Sequence, residues 1–369
     1  MSSSEPSRPD DKRTSILIVQ DDDALRARLV ALLDAAPDFV RVADLRSGYE
    51  AIRLIHELSP DVVALDLGEL GSRAADVLAY VVHEAPRLVV IMADHGRIRD
   101  DRALAQVDFG NVEFVVKPAD RDVEVLSRRF LAALDAITSA QIGGMRMNRA
   151  KRAAARASRA AQRAARAGLF PGGKPATCAV AVAASTGGPR ALLQVIPLLP
   201  AGLEASVLIV QHMPEVFTSL LADRLDRMSV LEVREATGGE LLKAGTVYLA
   251  RGGRHMGLQR VAAGISITLE DGEPVWGLRP AADLMFAAVA RHFGPRSLGV
   301  VLTGMGKDGA AGLRAIREVG GWTAVQESET AVLGSMPRAA RPWAQAELPL
   351  TRLPRALSEQ VTKRQKAGA

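Results

Sequence analysis

Three short segments place a hydroxyl, an imidazole and a carboxylate where apolar runs of the sequence end. Ser185 lies in AASTGGP, His212 in VQHMP and Asp308 in LTGMGKDG, and each segment follows a run of aliphatic residues. Such runs are typical of buried parallel strands, whose carboxyl ends meet at one edge of a sheet. A hydroxyl, an imidazole and a carboxylate at one edge are what nucleophilic acyl transfer needs, because the imidazole takes the hydroxyl proton and the carboxylate fixes its tautomer.

Each of these residues also has an ordinary structural interpretation. The Ser-Thr-Gly-Gly turn could cap a helix or cradle a phosphate, and Ala183 breaks the G-x-S-x-G form of the hydrolase nucleophile turn. A single histidine at a strand end is more often structural, and Asp308 by itself would be an N-cap. The chain order Ser, His, Asp also differs from the Ser, Asp, His of α/β-hydrolases.

The elements that must position these residues form two alternating regions. In the first region, strands are predicted at 16–19, 39–43, 62–65, 88–92 and 112–116, with helical patterns at 23–35, 48–58, 74–84, 100–106 and 120–137. In the second, strands are predicted at 178–183, 207–211, 231–234, 247–250, 265–269, 298–302 and 322–325. Strands that alternate with helices predict two doubly wound parallel-sheet α/β domains.

Composition and length set the limits on these predictions. The chain has 369 residues, of which 48% are hydrophobic and 24% charged, so two globular domains are expected. The single cysteine, Cys178, excludes an internal disulfide framework and a cysteine-rich metal site. No apolar run reaches the ~18 residues of a membrane span, and the polar start does not resemble a signal peptide. These features predict a cytoplasmic protein without membrane insertion.

Positive charge is concentrated in the middle of the chain. The net charge is +5, yet residues 141–170 contain eight basic residues and no acid, so the remainder is net negative. Arginines recur there at steps of three and four among alanines, which predicts a helix with a basic stripe. It is either a solvated linker helix or a docking stripe for an acidic partner. Nucleic acid is not favoured, because no aromatic residues interleave for base stacking.

Five segments of the second region resemble the chemotaxis protein-glutamate methylesterase family. In chain order they are AASTGGPRAL, VQHMPEVFTSLLADRL, VYLARGGRHM, VVLTGMGKDGAAGL and AVQESETAVLGSMPRAA, within residues 177–340. The resemblance implies hydrolysis of γ-glutamyl methyl esters on methyl-accepting chemoreceptors, and glutamine deamidation at some of those sites. By position it makes Ser185 the nucleophile, His212 the general base and Asp308 the orienting carboxylate. It also assigns an oxyanion role to the backbone of Met305 and a place in the same turn to Thr186, with no cofactor for catalysis.

The first region resembles a response-regulator receiver domain. Asp21 and Asp22 follow the first predicted strand, Asp66 ends the third, and Lys117 follows the fifth. The resemblance makes Asp66 the phospho-acceptor and Lys117 its supporting lysine. Carboxylates gathered at one edge, here Asp21 and Asp66, could hold Mg²⁺ through oxygen ligands. In the family, the unphosphorylated receiver covers the active site until a chemotaxis histidine kinase supplies the phosphoryl group.

The receiver pattern is incomplete in this sequence. Gln20 stands where the family has one acid of its pair, and Ala93 stands at the hydroxyl position that ends the fourth strand. The GELGSRA segment after Asp66 also lacks the family's Met-Pro and Gly. We therefore expect weakened Mg²⁺ binding and weakened control by phosphate. The alternative to control by phosphate is that the receiver fold is retained for docking or for constitutive control.

The predicted organisation has five parts, which are a disordered tail at 1–13, a receiver at 14–140, a basic linker helix at 141–174, a methylesterase domain at 175–353 and a second tail at 354–369. The predicted function is a receptor methylesterase, with recruitment to chemoreceptor arrays. Two alternatives from the same residues stay open. One is a related serine hydrolase that acts outside chemotaxis, and the other is a non-catalytic signalling adaptor.

Overall fold

The structure is a computed structural model of the full chain. It describes the following residues: 13–46, 48–67, 77–78, 80–81, 87–93, 111–118, 122–139 and 173–366. Several predicted features lie wholly or largely outside them: the N-terminal tail, the helices at 74–84 and 100–106, and the basic linker helix.

The first domain is a five-stranded parallel sheet with helices packed on it. Its elements are β1 (Thr14–Val19), α1 (Asp23–Asp34), β2 (Phe39–Leu45), α2 (Gly48–Leu58), β3 (Val62–Asp66), β4 (Leu88–Ala93), β5 (Val112–Val116) and α3 (Val123–Ser139). The strand order is β2-β1-β3-β4-β5, and every neighbouring pair is parallel. The five strand predictions are confirmed, and β3, β4 and β5 are buried along their whole length, as apolar runs in a parallel sheet are expected to be.

Short side-chain caps fix where two of these helices begin. Asp22 accepts a hydrogen bond from the backbone N–H of Leu25 (3.0 Å) at the start of α1. Asp122 does the same for Glu124 and Val125 at the start of α3 (2.8 and 3.1 Å). Such caps satisfy backbone donors that a helix start leaves free. They fix the loops after β1 and near β5, which carry the candidate receiver residues.

The second domain has a larger parallel sheet and one antiparallel hairpin. Its elements are β6 (Cys178–Ala184), α4 (Gly188–Val195), β7 (Ala205–Gln211), α5 (Glu215–Met228), β8 (Glu232–Glu235), β9 (Thr246–Leu249), β10 (His255–Val261), β11 (Gly264–Glu270), α6 (Ala282–Phe293), β12 (Ser297–Val301), α7 (Ala310–Glu318), β13 (Trp322–Gln326), α8 (Ser335–Ala340), β14 (Ala346–Leu348) and α9 (Leu353–Lys366). The strand order is β14-β13-β12-β6-β7-β9-β8, with β10 and β11 paired separately.

This strand order creates a crevice at the centre of the sheet. The chain leaves β6 toward β7 on one side and later returns to β12 on the other. Ligands of open α/β sheets bind at such a reversal, beyond the carboxyl ends of the strands. The loops after β6, β7 and β12 carry Ser185, His212 and Asp308, so all three candidates lie at this edge.

The seven predicted strands of this domain are confirmed, whereas β10 and β14 were not predicted. The sequence of β10, HMGLQRV, is interrupted by glycine and polar residues, and its last three residues are exposed. It is a strand because it pairs with β11 in register from His255 with Glu270 to Val261 with Gly264. The three-residue β14 is an edge strand that is only half-buried.

The prediction of a C-terminal tail at 354–369 is wrong through Lys366. These residues form α9, whose Leu353, Leu357 and Val361 are buried against the second domain. Steps of four residues place the three side chains on one helix face. Near the end of the helix, the amide of Gln365 donates to the backbone oxygen of Glu204 (3.1 Å). Across the described residues, no helix combines the length and apolar character that a membrane span requires.

We predict that α9 stabilises the catalytic domain. Leu357→Ala should lower the free energy of unfolding by about 2–4 kcal/mol, because it removes a side chain that is 1% exposed. The control is Leu198→Ala, a leucine that is 63% exposed. Denaturant unfolding of the full chain compares the two, and equal losses would show that α9 contributes no more than a surface residue.

Candidate active site

The turn that carries Ser185 is fixed by its backbone. The N–H of Ser185 donates to the oxygen of Thr303 (3.0 Å), and its own oxygen accepts from the N–H of Gly188 (2.7 Å) and the amide of Gln211 (2.9 Å). Gln211 is buried and also donates to the oxygen of His212 (3.0 Å). One amide therefore ties the loop after β6 to the loop after β7.

The backbone of this turn requires glycine two residues after Ser185, at position 187. Gly187 has a φ of 75°, in the left-handed region. A Cβ on Gly187 would also come within 2.7 Å of Cβ of Val332. The hydroxyl of Thr303 donates to the oxygen of Thr186 (3.0 Å). The loop after β12 and the loop before α8 therefore both contact this turn, and Ser185 and Thr186 border a cavity.

His212 and Asp308 are paired directly. Nε2 of His212 lies 2.8 Å from Oδ2 of Asp308, and both side chains are buried. A carboxylate can only accept, so Nε2 carries the proton and Nδ1 of the neutral ring is an acceptor. That Nδ1 is buried and has no hydrogen-bond partner among the described residues. His212 borders the same cavity as Ser185, and Nδ1 is the ring nitrogen that is left as a hydrogen-bond acceptor.

The carboxylate of Asp308 accepts several further hydrogen bonds. Oδ2 accepts from the N–H of Ala282 (2.6 Å), and Oδ1 from those of Asp283 (2.9 Å) and Gly309 (3.0 Å). These donors belong to the starts of α6 and α7, where helix dipoles also favour negative charge. Burial would raise the pKa of Asp308, but the bonds from His212, Ala282 and Asp283 outweigh it and hold the pKa below its usual value. Asp308 is therefore a stable anion beside His212.

Two more side chains hold the donors of Asp308 in place. Asp283 accepts from the N–H of Gly309 (2.9 Å) and Gly312 (2.8 Å), which joins the starts of α6 and α7. His255 is buried, and its Nδ1 accepts from the N–H of Ala281 (3.1 Å), directly before α6. Neither interaction could be derived from the sequence, because both join segments that are far apart in the chain.

Ser185, Thr186, His212 and Met305 border one cavity of about 360 Å³. The second domain completes its wall with Trp276, Leu278, Gly306 and Lys307. The first domain supplies the opposite wall, with Phe114, Val115 and Val116 of β5 and Val125, Arg128 and Arg129 of α3. The structure therefore shows the candidate site closed over by the first domain.

An aromatic pair joins the two domains. The rings of Phe114 on β5 and Phe217 on α5 have centroids 4.4 Å apart and are tilted by 51°. Phe217 is fully buried, and the two residues belong to one apolar cluster that runs through both domains. Such contact removes apolar surface from water, which favours the closed arrangement.

A buried acid of the first domain reaches the nucleophile turn. The N–H of Gly187 donates to both carboxylate oxygens of Glu113 on β5 (3.2 Å each). Burial raises the pKa of Glu113 to about 7, although the N–H groups of Gly187 and Phe114 and the charge of Arg190 act in the opposite direction. Glu113 could not be identified from the sequence, because an acid within an apolar strand carries no signal of its partner in another domain.

The candidate receiver residues meet at the carboxyl edge of the first sheet. Asp66 is buried at the end of β3, and Nζ of Lys117 lies 2.6 Å from its Oδ2. The amide nitrogen of Gln20 donates to the same oxygen. The amide oxygen of Gln20 accepts from the N–H of Asp22 (2.9 Å), so both ends of the amide are assigned by their partners. Asp21 lies beside Gln20, just after β1.

This arrangement does not fit the predicted Mg²⁺ site. A divalent cation needs several oxygen ligands, whereas Oδ2 of Asp66 faces an ammonium group and an amide N–H. Among the described residues, no three acids, histidines or cysteines are grouped so that they could hold a metal ion. Ala93 is buried at the end of β4 and offers no hydroxyl group. We therefore derive no step through a metal ion in this domain.

Comparison with known proteins agrees with the two-domain architecture. The profile of the family described as CheB methylesterase matches residues 180–357, and that of the response regulator receiver domain matches residues 16–126. The chain is 37% identical to a protein-glutamate methylesterase/protein-glutamine glutaminase of Symbiobacterium thermophilum, over 88% of this chain and 90% of that protein. It is 32% identical to a protein of the same name from Pyrococcus horikoshii, over 89% and 88% of the two chains.

A solved structure, the CheB methylesterase catalytic domain of Thermotoga maritima, is 38% identical, with a TM-score of 0.49; the match covers 49% of this chain and 97% of that one. The fold and site define a hydrolase domain built on a parallel α/β sheet and covered by a receiver domain. From its relatives, the chain belongs to the CheB methylesterase family with an N-terminal receiver domain.

We predict that docking of the receiver weakens as the pH rises. Glu113 has a pKa of about 7 when docked, against an ordinary value of 4.5, so its neutral form favours the docked state. Docking is therefore strongest below about pH 4.5 and weakens as the pH rises through about 7. Arg190 on α4 acts on Glu113 by its charge, and Arg128 and Arg129 on α3 line the neighbouring cavity; all three arginines keep their charge throughout.

The test is hydrogen–deuterium exchange of peptides containing Phe114 and Phe217, corrected for intrinsic pH dependence. Wild type should lose protection between pH 5.5 and pH 8, whereas Glu113→Gln, which stays neutral, should keep it. Glu124→Gln alters an exposed glutamate on α3 and should follow wild type. Unchanged wild-type protection between the two pH values would contradict the prediction.

Proposed function

We propose that the chain is a serine hydrolase that removes methyl groups from glutamate γ-methyl esters of chemoreceptors and deamidates receptor glutamines. The observation that carries this proposal is the pairing of His212 with a stably ionised Asp308 beside the cavity that Ser185 borders. The names of the relatives support the substrate class.

In the first step, Oγ of Ser185 attacks the ester carbonyl carbon while Nδ1 of His212 takes the hydroxyl proton. A bond forms between Oγ and the carbonyl carbon, and the carbonyl oxygen becomes an oxyanion. The C–O bond to the methoxy group then breaks, and methanol leaves with the proton from His212. Asp308 stabilises the imidazolium between these events and keeps the proton of Nε2 in place.

In the second step, water attacks the acyl-enzyme and gives its proton to His212. The bond to Oγ of Ser185 breaks, the proton returns to Oγ, and a glutamate side chain is released. With a glutamine substrate the first leaving group is ammonia instead of methanol. The backbone N–H of Met305 is proposed as an oxyanion donor, with Thr186 shaping the same turn. Protein side chains and water account for every proton in this sequence.

The proposed partners are chemoreceptors as substrates and a chemotaxis histidine kinase as phosphodonor, which would place the chain in the cytoplasm at receptor arrays. The receiver domain regulates access, because β5 and α3 form one wall of the cavity. A receptor helix could reach Ser185 only after this wall moves away.

We predict methanol release from a methylated cytoplasmic fragment of a chemoreceptor by the full chain. Ser185→Ala should release none above background, because it removes the attacking hydroxyl. Asp308→Asn should lower kcat by about 10²–10⁴, since an amide no longer fixes the reactive tautomer of His212. The control is Ser219→Ala, at an exposed position on α5, which should behave as wild type.

The outcomes separate the alternatives. Release that persists in Ser185→Ala would contradict the assigned nucleophile. If the full chain is silent, Phe114→Ala should open the receiver contact and restore release. Cleavage of a small ester without methanol release would indicate a hydrolase that acts outside chemotaxis. If neither the full chain nor its Phe114→Ala variant acts on the receptor fragment or on the small ester, the non-catalytic adaptor remains and the proposal is overturned.

We predict little activation by phosphate, because Gln20 and Lys117 both contact Asp66 and the metal ligands are incomplete. Acetyl phosphate should barely change methanol release by wild type. Replacing Gln20 by Asp and Ala93 by Ser should supply the missing acid and hydroxyl and so increase both phosphorylation, measured by intact mass, and activation. Strong activation of wild type that is lost in Asp66→Ala would contradict this prediction.

A further inference from the structure

The mouth of the cavity carries a tryptophan and a lysine that the proposed reaction does not use. Trp276 is 53% exposed, and Nζ of Lys307 lies 3.6 Å from the centroid of its ring. Both residues border the cavity together with Ser185 and His212. They belong to separate loops, one before α6 and one between β12 and α7, so the sequence gives no hint of their contact.

The position of Trp276 is fixed rather than loose. Val275 and Leu278 exchange two backbone hydrogen bonds (3.1 and 2.9 Å), and Trp276 occupies the turn between them with a φ of 55°. A large side chain in the left-handed region is uncommon and costs free energy. The indole N–H donates to Oδ2 of Asp283 (3.1 Å), which orients the ring. An exposed ring that is held in a strained turn at the mouth of the cavity indicates a functional role there.

Lys307 presents an available charge. Its side chain is exposed, and among the described residues the structure gives it no carboxylate partner. The attraction between an ammonium group and an aromatic face holds the charge over Trp276. This contact limits the freedom of the long side chain and keeps its positive charge at the entrance to the cavity. The indole ring therefore supports a fixed cation beside the route to Ser185.

We propose that Lys307, supported by Trp276, selects polypeptide substrates that carry a carboxylate close to the esterified glutamate. This inference rests on the proposed function and names the class of substrate. A methyl ester is neutral and gives Lys307 nothing to pair with, so the counter-charge must come from a neighbouring residue of the substrate. On a helical substrate, a residue four positions away lies on the same face as the ester.

A structural role for Trp276 is the competing explanation, because its indole N–H donates to the carboxylate of Asp283, whose backbone N–H donates to Oδ1 of Asp308. Three variants distinguish this structural role from a role in substrate selection. Trp276→Phe removes the N–H and keeps an aromatic ring, whereas Trp276→Ala removes both. Lys307→Met removes the charge and keeps an unbranched apolar chain.

The experiment uses the full chain with Phe114→Ala as the common background and two synthetic helical peptides. Each peptide has one γ-methyl glutamate, followed four residues later by either glutamate or glutamine. The background protein should prefer the glutamate peptide about three- to fivefold in kcat/KM at low salt. The preference should appear in KM rather than kcat and shrink as ionic strength rises.

Lys307→Met and Trp276→Ala should abolish this preference and its salt dependence, and Trp276→Phe should retain both. Leu198→Ala, at an exposed apolar position outside the cavity lining, is the control and should match the background protein. If the preference for the glutamate peptide survives in Lys307→Met, or is absent from the background protein, this inference is overturned while the proposed function stands. Cleavage of a small ester with neither peptide hydrolysed would overturn the proposed substrate class, and this inference with it.

Discussion

The burial of one carboxylate is the constraint on which the candidate site depends. Asp308 is 1% exposed, and an unpaired charge at such a depth would be strongly destabilising. Its oxygens instead accept from Nε2 of His212 and from N–H groups at the starts of α6 and α7. These donors require the two helices to begin side by side, which Asp283 and His255 secure. The geometry that keeps Asp308 ionised also leaves Nδ1 of His212 as an acceptor.

Burial of a carboxylate has the opposite outcome at the contact between the domains. Glu113 is nearly as buried as Asp308 and accepts from the backbone N–H of Gly187 across the domain contact. Its pKa nevertheless rises where that of Asp308 falls, because burial outweighs its hydrogen bonds. Closure over the cavity is therefore favoured by the apolar contact of Phe114 with Phe217 and opposed by ionisation of Glu113. Lys117 and Gln20 meanwhile both contact Oδ2 of Asp66.

Much of the fold was predictable, since most strands of the two parallel sheets are runs of aliphatic residues. Ser185, His212 and Asp308 could be singled out because each follows such a run, and parallel strands end at a common edge. The hairpin strand β10 and helix α9 were missed for a different reason. In β10 polar residues interrupt the apolar pattern, and α9 has only a narrow apolar stripe among charged residues. Both exist because the remainder of the domain offers them a surface.

The sequence alone determined the two α/β domains, the residues at the strand ends and the incomplete set of receiver acids. These features depend on local composition and on the period of the strands, which a linear pattern records. Only the tertiary structure decided which nitrogen of His212 is available, which helix starts surround Asp308, that Glu113 reaches Gly187, and that Lys307 lies over Trp276. Each of these is a contact between segments far apart in the chain. Such contacts depend on distances of a few ångströms between surfaces that meet only when the chain has folded.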